Sequence, residues 1–211
     1  MKKLLFAVSA LAALSLLAPS TGFAQTHEYA NQVGLWTDPE GFGETGTQTF
    51  GAPVPVYLVL LLPSDSENGD APFASVTSFE CTLTFTPTPN GDLFALSTSL
   101  PEDSINIGPS KIIDNGYLDF IVGISPANPV PVVNGAALLV TFSFMNMSVD
   151  GFEVTIGPVD EASIEGQMGF EGVSGQILPM YSASDSFTEP IFTFGGDPAV
   201  AIEEDSFGSI K

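Results

Sequence analysis

The sequence predicts an all-β protein, an antiparallel β-sandwich that follows a cleaved N-terminal signal helix. Residues 75–85, SVTSFECTLTF, alternate between apolar and polar positions with the period of a strand that has one buried face. Similar alternation recurs along the chain between Asn-Gly, Asp-Gly and proline-rich turns, and no segment after residue 24 has a convincing helical period. Many short strands joined by such turns are typical of a sandwich or a barrel.

The first 24 residues have the organisation of a secretory signal peptide. Lys2 and Lys3 give a charged start, residues 4–17 are apolar, and Gly-Phe-Ala before Gln25 offers the small residues that a signal peptidase recognises. We expect cleavage at this point, with a retained anchor as the alternative, and no membrane span after cleavage. Residues 25–30 are then a flexible N-terminus of a protein exported to the periplasm, the cell surface or the medium.

The remaining strands follow from alternation and from the turns that separate them. Residues 54–62, VPVYLVLLL, are apolar on both faces and are predicted to form a central, covered strand. Residues 136–147 and 152–156 flank Asp150-Gly151 and predict a hairpin. In the first of these two strands the expected inward residues are Ala136, Leu138, Val140, Phe142 and Phe144. Further strands are predicted at residues 31–37, 93–99, 105–107, 117–124, 176–181 and 190–194, with glycine-rich loops at 38–51 and 160–175.

The strand at residues 75–85 defines an inward and an outward set of side chains. Thr77, Phe79, Cys81, Leu83 and Phe85 share the apolar face, so we expect Glu80 on the opposite, wet face. Cys81 is the only cysteine of the chain, and its apolar neighbours predict a small buried hydrophobe rather than a reactive thiol. An intermolecular disulfide is the alternative.

The charge is strongly acidic, and it excludes several classes of partner. The chain has 25 acidic residues against four basic ones, a formal net charge of -21. Removal of the leader would leave only Lys111 and Lys211 as basic residues. A surface of this sign repels nucleic acid and anionic lipid, so no nucleic-acid partner is expected. The acids form either a solvated coat or sites for cations.

Catalytic motifs are missing from the sequence. His27 is the only histidine, there is one cysteine, and there is no arginine. A Ser-His-Asp triad, a multi-histidine zinc site and an arginine clamp for phosphate therefore cannot be built. We expect no enzyme activity and no organic cofactor; an enzyme that uses two unrecognised carboxylates is the third-ranked alternative.

Calcium is the one metal that the composition favours. Asp65, Glu67 and Asp70 lie close together in an acidic loop, and hard cations take carboxylate oxygens as ligands. The spacing does not match an EF-hand loop, so a solvated turn is the alternative.

Aromatic residues provide a second candidate site. Trp36, Tyr57, Tyr117 and Tyr181 are predicted on strands, and flat exposed rings can stack on sugars; Trp36, Tyr57 and Tyr117 are the preferred set. A glycan-binding platform made of these residues is therefore a second hypothesis.

Three segments resemble the cohesin family of secreted bacterial domains. Residues 75–89 resemble the family's aromatic strand, with Phe79, Cys81, Leu83 and Phe85 at its alternating apolar positions, and residues 115–125 and 134–148 resemble two later strands. The family's Asp-Pro after the first of these strands is replaced here by residues 86–89, TPTP, and no dockerin-like calcium repeat occurs. The resemblance implies an immunoglobulin-like or jelly-roll sandwich, related also to carbohydrate-binding modules.

Together these features predict one β-sandwich domain at residues 31–195, followed by an acidic tail at residues 196–211. We expect an exported, non-enzymatic protein that acts in adhesion, scaffolding or extracellular assembly through protein–protein contacts or self-association. The alternative is a carbohydrate-binding module that uses surface aromatics.

Overall fold

The computed structural model describes residues 30–65 and 73–195. The predicted signal peptide, most of the predicted flexible N-terminus and the acidic tail lie outside these residues. The strands are β1 (Gln32–Trp36), β2 (Gly46–Thr47), β3 (Pro53–Leu61), β4 (Ser75–Thr86), β5 (Leu93–Ser99), β6 (Ser104–Asn106), β7 (Tyr117–Ile124), β8 (Val130–Pro131), β9 (Ala136–Asn146), β10 (Phe152–Gly157), β11 (Met168–Gly172), β12 (Ile177–Ser182) and β13 (Phe192–Phe194), with a 3₁₀ turn at Ile113–Asn115. Within the described ranges no helix is long and apolar enough to cross a membrane.

The strands form two sheets that are connected through β12. The first sheet has the order β5-β9-β3-β1. In the second, β6 pairs with β7 and β7 with β4, while the other edge of β4 is shared by β11 and β10. Strand β12 pairs antiparallel with β11 and parallel with β1, and β13 also pairs parallel with β2. The prediction of an all-β sandwich is confirmed, with these two parallel pairs added to an otherwise antiparallel arrangement.

Phenylalanine side chains from both sheets form the core between them. The ring of Phe142 lies 5.9 Å from that of Phe120, and the ring of Phe144 lies 6.1 Å from that of Phe85. Because β9 belongs to the first sheet and β4 and β7 to the second, these edge-to-face contacts join the two layers. Cys81 is fully buried in this core, as its place in the alternation predicted.

The expected inward set of β9 is wrong in its first half, because a β-bulge shifts the register. Leu58 pairs with Val140 and Val59 with Leu138, so Leu139 is the extra residue. Phe142, Phe144 and Val140 face the main core as expected, but Ala137 and Leu139 replace Ala136 and Leu138 there. Ala136 and Leu138 instead join a small outer cluster on the opposite face of the first sheet.

That small cluster explains why β3 is apolar on both faces. Val56, Leu58 and Leu60 point into the main core, whereas Val59 and Leu61 belong to the outer cluster. The predicted central position is confirmed, since β3 pairs with β1 on one edge and with β9 on the other.

The predicted hairpin between residues 136–147 and 152–156 is wrong. Strand β9 pairs with β3 and β5, and β10 pairs with β4 and β13, so the two strands lie in different sheets. Both edges of β9 are already occupied, which leaves no room for β10 beside it. The Asp150-Gly151 turn is therefore a crossover between the layers.

Two predicted loops contain strands. Within residues 160–175, β11 pairs with β4 and with β12, and its Met168 and Phe170 are buried. Within residues 38–51, β2 pairs with β13. The alternation of side chains did not predict β11, because two of its residues, Gly169 and Gly172, are glycine. A side chain at residue 169 would collide with Glu80, and one at residue 172 with Phe73.

Candidate functional site

The outer face of the second sheet carries an apolar groove across β6, β7, β4 and β11. Ile105, Ile107 and Ile177 line it with 69%, 70% and 44% of their surfaces exposed, and Ile121 lies between them. We call this concavity, with a volume of about 320 Å³, the isoleucine groove. Large exposed apolar side chains that share one concavity are typical of interaction sites, whereas isolated ones are ordinary.

Glu80 forms part of the floor of the isoleucine groove and corrects the expectation of a wet side chain. It is on the outward face of β4, as predicted, but only 6% of it is exposed. Ser163, in the loop that precedes β11, donates from its backbone nitrogen at 2.7 Å and from its hydroxyl at 2.9 Å to the two carboxylate oxygens. These bonds satisfy the buried carboxylate and hold the loop against the sheet.

Asn106 holds one wall of the groove in place through its side-chain amide. Its amide nitrogen donates to the carbonyl oxygen of Asp119 at 3.0 Å. Its amide oxygen accepts from the backbone nitrogens of Gly108 at 2.9 Å and Ile121 at 3.0 Å. Two of these bonds fix Asn106 against β7, and the third fixes Gly108 to Asn106. Because Ile107 lies between Asn106 and Gly108, it stays exposed on the groove wall.

A second buried acid anchors the same wall. Asp119 is 6% exposed and accepts from the hydroxyl of Thr82 at 2.7 Å and from the backbone nitrogen of Ser110 at 3.1 Å. Together with Glu80, it places two satisfied carboxylates on the outer face of the sheet. They lie on the far side of the sheet from Cys81, and burial first, then Asp119 and Glu80, raise the pKa of that thiol.

One carbonyl group on the free edge of β6 is covered by a lysine. The ammonium group of Lys111 donates to the carbonyl oxygen of Asn106 at 2.9 Å. A strand edge with its carbonyl already bonded is a poor template for another strand.

The predicted glycan platform is not assembled. Trp36 is only 3% exposed and packs with Val59 and Leu61 in the outer cluster, which corrects its expected role as an exposed platform. Tyr57 pairs with Trp36 across β1 and β3 and is half-buried. Tyr117 is 43% exposed but lies in the other sheet. The three aromatics therefore do not share one exposed surface.

The predicted calcium loop lies mostly outside the described residues. Asp65 is exposed at the end of the first described range, and Glu67 and Asp70 fall in the gap before residue 73. Among residues 30–65 and 73–195 no group of three or more His, Cys, Asp or Glu side chains could hold a metal ion. Calcium binding at Asp65, Glu67 and Asp70 stays a prediction.

No family model and no curated protein sequence matches the chain. Cohesin modules are among the solved structures with a similar fold. The sixth cohesin of scaffoldin B from Acetivibrio cellulolyticus, solved in complex with a dockerin, is 10% identical, with 80% of this chain and 99% of that one covered and a TM-score of 0.45. A type II cohesin of the same organism's cellulosome is 10% identical, with 82% and 96% covered and a TM-score of 0.46.

A third similar structure comes from a different organism. The cohesin module of a family 33 glycoside hydrolase from Clostridium perfringens is 11% identical, with 72% of this chain and 91% of that one covered and a TM-score of 0.43. The likeness to cohesin modules that three sequence segments indicated is thus found in the structures as well, and it concerns the fold.

Proposed function

We propose that this chain is an exported, non-enzymatic protein-interaction module that docks a protein partner on the isoleucine groove. One observation supports this more than any other: Ile105 and Ile107 expose about two thirds of their surfaces, at 69% and 70%, on the wall of one groove. Covering a large apolar side chain contributes roughly 1.5–3 kcal/mol, so these isoleucines can serve as the anchors of a contact.

The groove is firmly held from below, which suits a docking site. Glu80 and Ser163 fix its floor, and Asn106 fixes the wall that bears Ile107. A surface that is already ordered loses little conformational entropy when a partner binds. Because Lys111 already occupies a carbonyl of the neighbouring edge, docking on the face of the sheet is favoured over extension of that edge by a strand.

The sequence offers a way to fill the groove without disturbing the fold. Gly123 of β7 lines it, and a Cβ atom added there would meet no atom within 4 Å. Valine also has a higher strand propensity than glycine. A Gly123→Val variant is therefore expected to fold at least as stably as the parent while occupying the space that a partner would use.

The test compares the proteins that immobilised variants retain from the culture in which the chain is produced. We expect the parent and an Ile112→Ser control, which removes a 61% exposed isoleucine outside the groove, to retain the same partner. Ile107→Ser and Gly123→Val should each weaken its binding about tenfold or more. If both groove variants keep the partner at full strength, docking at the isoleucine groove is contradicted.

Self-association through the isoleucine groove is tested by a second measurement. Sedimentation of the parent chain at rising concentration would show a dimer if the occupant were a second copy. A dimer that dissociates on Gly123→Val substitution would assign the groove to self-assembly instead of to a different protein. The cohesin of scaffoldin B was solved with a dockerin, so a dockerin is a suitable first purified probe.

A further inference from the structure

A second concavity, separate from the isoleucine groove, lies beside β12 and the start of β1. It has a volume of about 740 Å³ and shares no lining residue with the groove. We call it the Tyr181 cleft. Its lining includes the side chains of Tyr181, Phe187, Asp65, Asp185 and Asn31.

Two aromatic side chains of the Tyr181 cleft are accessible to a ligand. Tyr181 is 47% exposed and Phe187 is 40% exposed. Aromatic rings that remain this open in a concavity offer apolar contact area, and their faces carry the negative potential that attracts cations.

Among residues 30–65 and 73–195, the charged side chains of the cleft are all acidic. Asp65 and Asp185 line it, and no lysine, arginine or histidine of these ranges does. The amide group of Asn31 is already engaged at both ends by the backbone of Ser64, with bonds of 3.0 Å and 2.7 Å. Ionised carboxylates accept hydrogen bonds and cannot donate them, so these charged side chains favour a ligand that is positive and rich in donors.

Asp185 is held in position before any ligand arrives. Its backbone nitrogen donates to the carbonyl oxygen of Ser182 at 2.9 Å, and one carboxylate oxygen accepts from the side-chain amide of Gln32 at 3.2 Å. The carboxylate is thus oriented by β1 while it remains at the exposed rim of the cleft.

We propose that the Tyr181 cleft binds an organic cation, a guanidinium or alkylammonium group such as the side chain of arginine or lysine in a peptide. The aromatic rings would contact the flat or alkyl part of the group, and Asp65 and Asp185 would accept its hydrogen bonds. An anionic ligand is disfavoured by the two carboxylates and by the formal charge of -21 of the whole chain. This proposal is independent of docking at the isoleucine groove.

The test uses calorimetric titration of the full chain with two amino-acid derivatives that are blocked at both ends. The two differ in the charge of the side chain. N-acetyl-arginine amide carries the guanidinium group, and N-acetyl-citrulline amide replaces it with a neutral urea of nearly the same shape. We expect the arginine compound to bind about tenfold or more tightly than the citrulline compound, and its affinity to fall as salt is added. Spermidine in place of the arginine compound would show whether a free amine or a peptide side chain is the better source of the cation.

Variants tie the binding to the cleft. Asp185→Asn keeps an oxygen for Gln32 and suits the positive φ of 59° at this residue, because asparagine tolerates that conformation, so the fold should be unchanged. We expect it to weaken arginine binding about tenfold, and Tyr181→Val to weaken it as well. Asp160→Asn, which removes an exposed carboxylate outside the cleft, is the matched control and should bind as the parent does.

Three results would overturn the proposal. The first is equal affinity for the arginine and citrulline compounds, and the second is unchanged binding by Asp185→Asn. The third is the absence of saturable binding at millimolar ligand. An uncharged oligosaccharide that binds in the cleft when the arginine compound does not would assign the site to a sugar and exclude the cation.

Discussion

Ser163 binds Glu80 with both of its donors, although the two residues are 83 positions apart in the sequence. The backbone nitrogen and the hydroxyl of the serine reach different oxygens of the same carboxylate. This pair attaches the loop before β11 to the middle of β4 and thereby shapes the floor of the isoleucine groove.

Removal of the Glu80 carboxylate should destabilise the fold. Glu80→Ala is expected to lower the free energy of unfolding by about 2 kcal/mol, because hydrogen bonds to a charged group are stronger than neutral ones. Ser163→Ala, which keeps the backbone donor, should cost about half as much. Urea unfolding measures both changes. The control is Glu153→Ala, which removes an exposed acid from β10 and should change stability by less than about 0.5 kcal/mol.

Gly169 should be coupled energetically to Glu80. A Cβ atom at residue 169 would lie 2.9 Å from a carboxylate oxygen of Glu80 and 3.1 Å from Ile177. Gly169→Ala is therefore expected to destabilise by about 1–2 kcal/mol, and much of this loss should vanish in a Glu80→Ala background. Gly123→Ala, where the added atom meets nothing within 4 Å, is the control. Strictly additive losses in the double variant would show that the glycine does not make room for the carboxylate.

The buried thiol of Cys81 should make stability decline at alkaline pH. Its pKa is raised above the ordinary value of 9.0, first by burial and then by Asp119 and Glu80. The stability that the protonated Cys81 thiol contributes is fully present at pH values below the pKa of the same thiol in the unfolded chain. Above it the unfolded thiol loses its proton while the native one does not, so stability falls as pH rises, by up to about 1.4 kcal/mol per pH unit.

Cys81→Ala isolates this effect. The variant should be less stable than the parent at pH 7 because it leaves a small cavity, but its stability should decline less between about pH 9 and pH 10. Urea unfolding at several pH values gives both slopes. Parallel curves for parent and variant would show that another group causes the alkaline loss.

Calcium at Asp65, Glu67 and Asp70 can be tested by thermal unfolding. An ion that binds the folded state raises the free energy of unfolding by about 2.7 kcal/mol at one hundred times its dissociation constant, so the midpoint should rise in millimolar calcium. Asp70→Asn should reduce the rise, and Asp92→Asn, in a different turn, should not. A midpoint that calcium leaves unchanged would indicate that these acids are part of a solvated coat.

The sequence predicted those parts of the fold that depend on local alternation. The inward positions of β4 and the two apolar faces of β3 followed from residues that are neighbours in the chain. The partners of β9 and β10 did not follow, because an Asp-Gly turn is compatible both with a hairpin and with a crossover. The bulge at Leu139 also escaped detection, since β9 is apolar on both sides of it and either register fits the pattern.

The isoleucine groove could not be predicted from the alternation of side chains. That alternation indicates buried isoleucines and an exposed asparagine, the reverse of what the structure has. In residues 105–107, isoleucine, asparagine and isoleucine alternate, and such a segment normally buries its apolar residues. The structure exposes both isoleucines because the amide of Asn106 finds three backbone partners around Asp119 and Ile121. The burial of Glu80 likewise depends on a distant serine that no local pattern connects to it.

The position of β1 determines how the domain would respond to a mechanical load. Gln32–Trp36 is hydrogen-bonded on both edges, parallel to β12 and antiparallel to β3. If a force pulled residue 30 along the axis of this strand, the strand could slide only if its five pairs with β3 and its two pairs with β12 were broken together. Loads transmitted from that end would thus be resisted in shear by two neighbours, rather than unzipped one bond at a time.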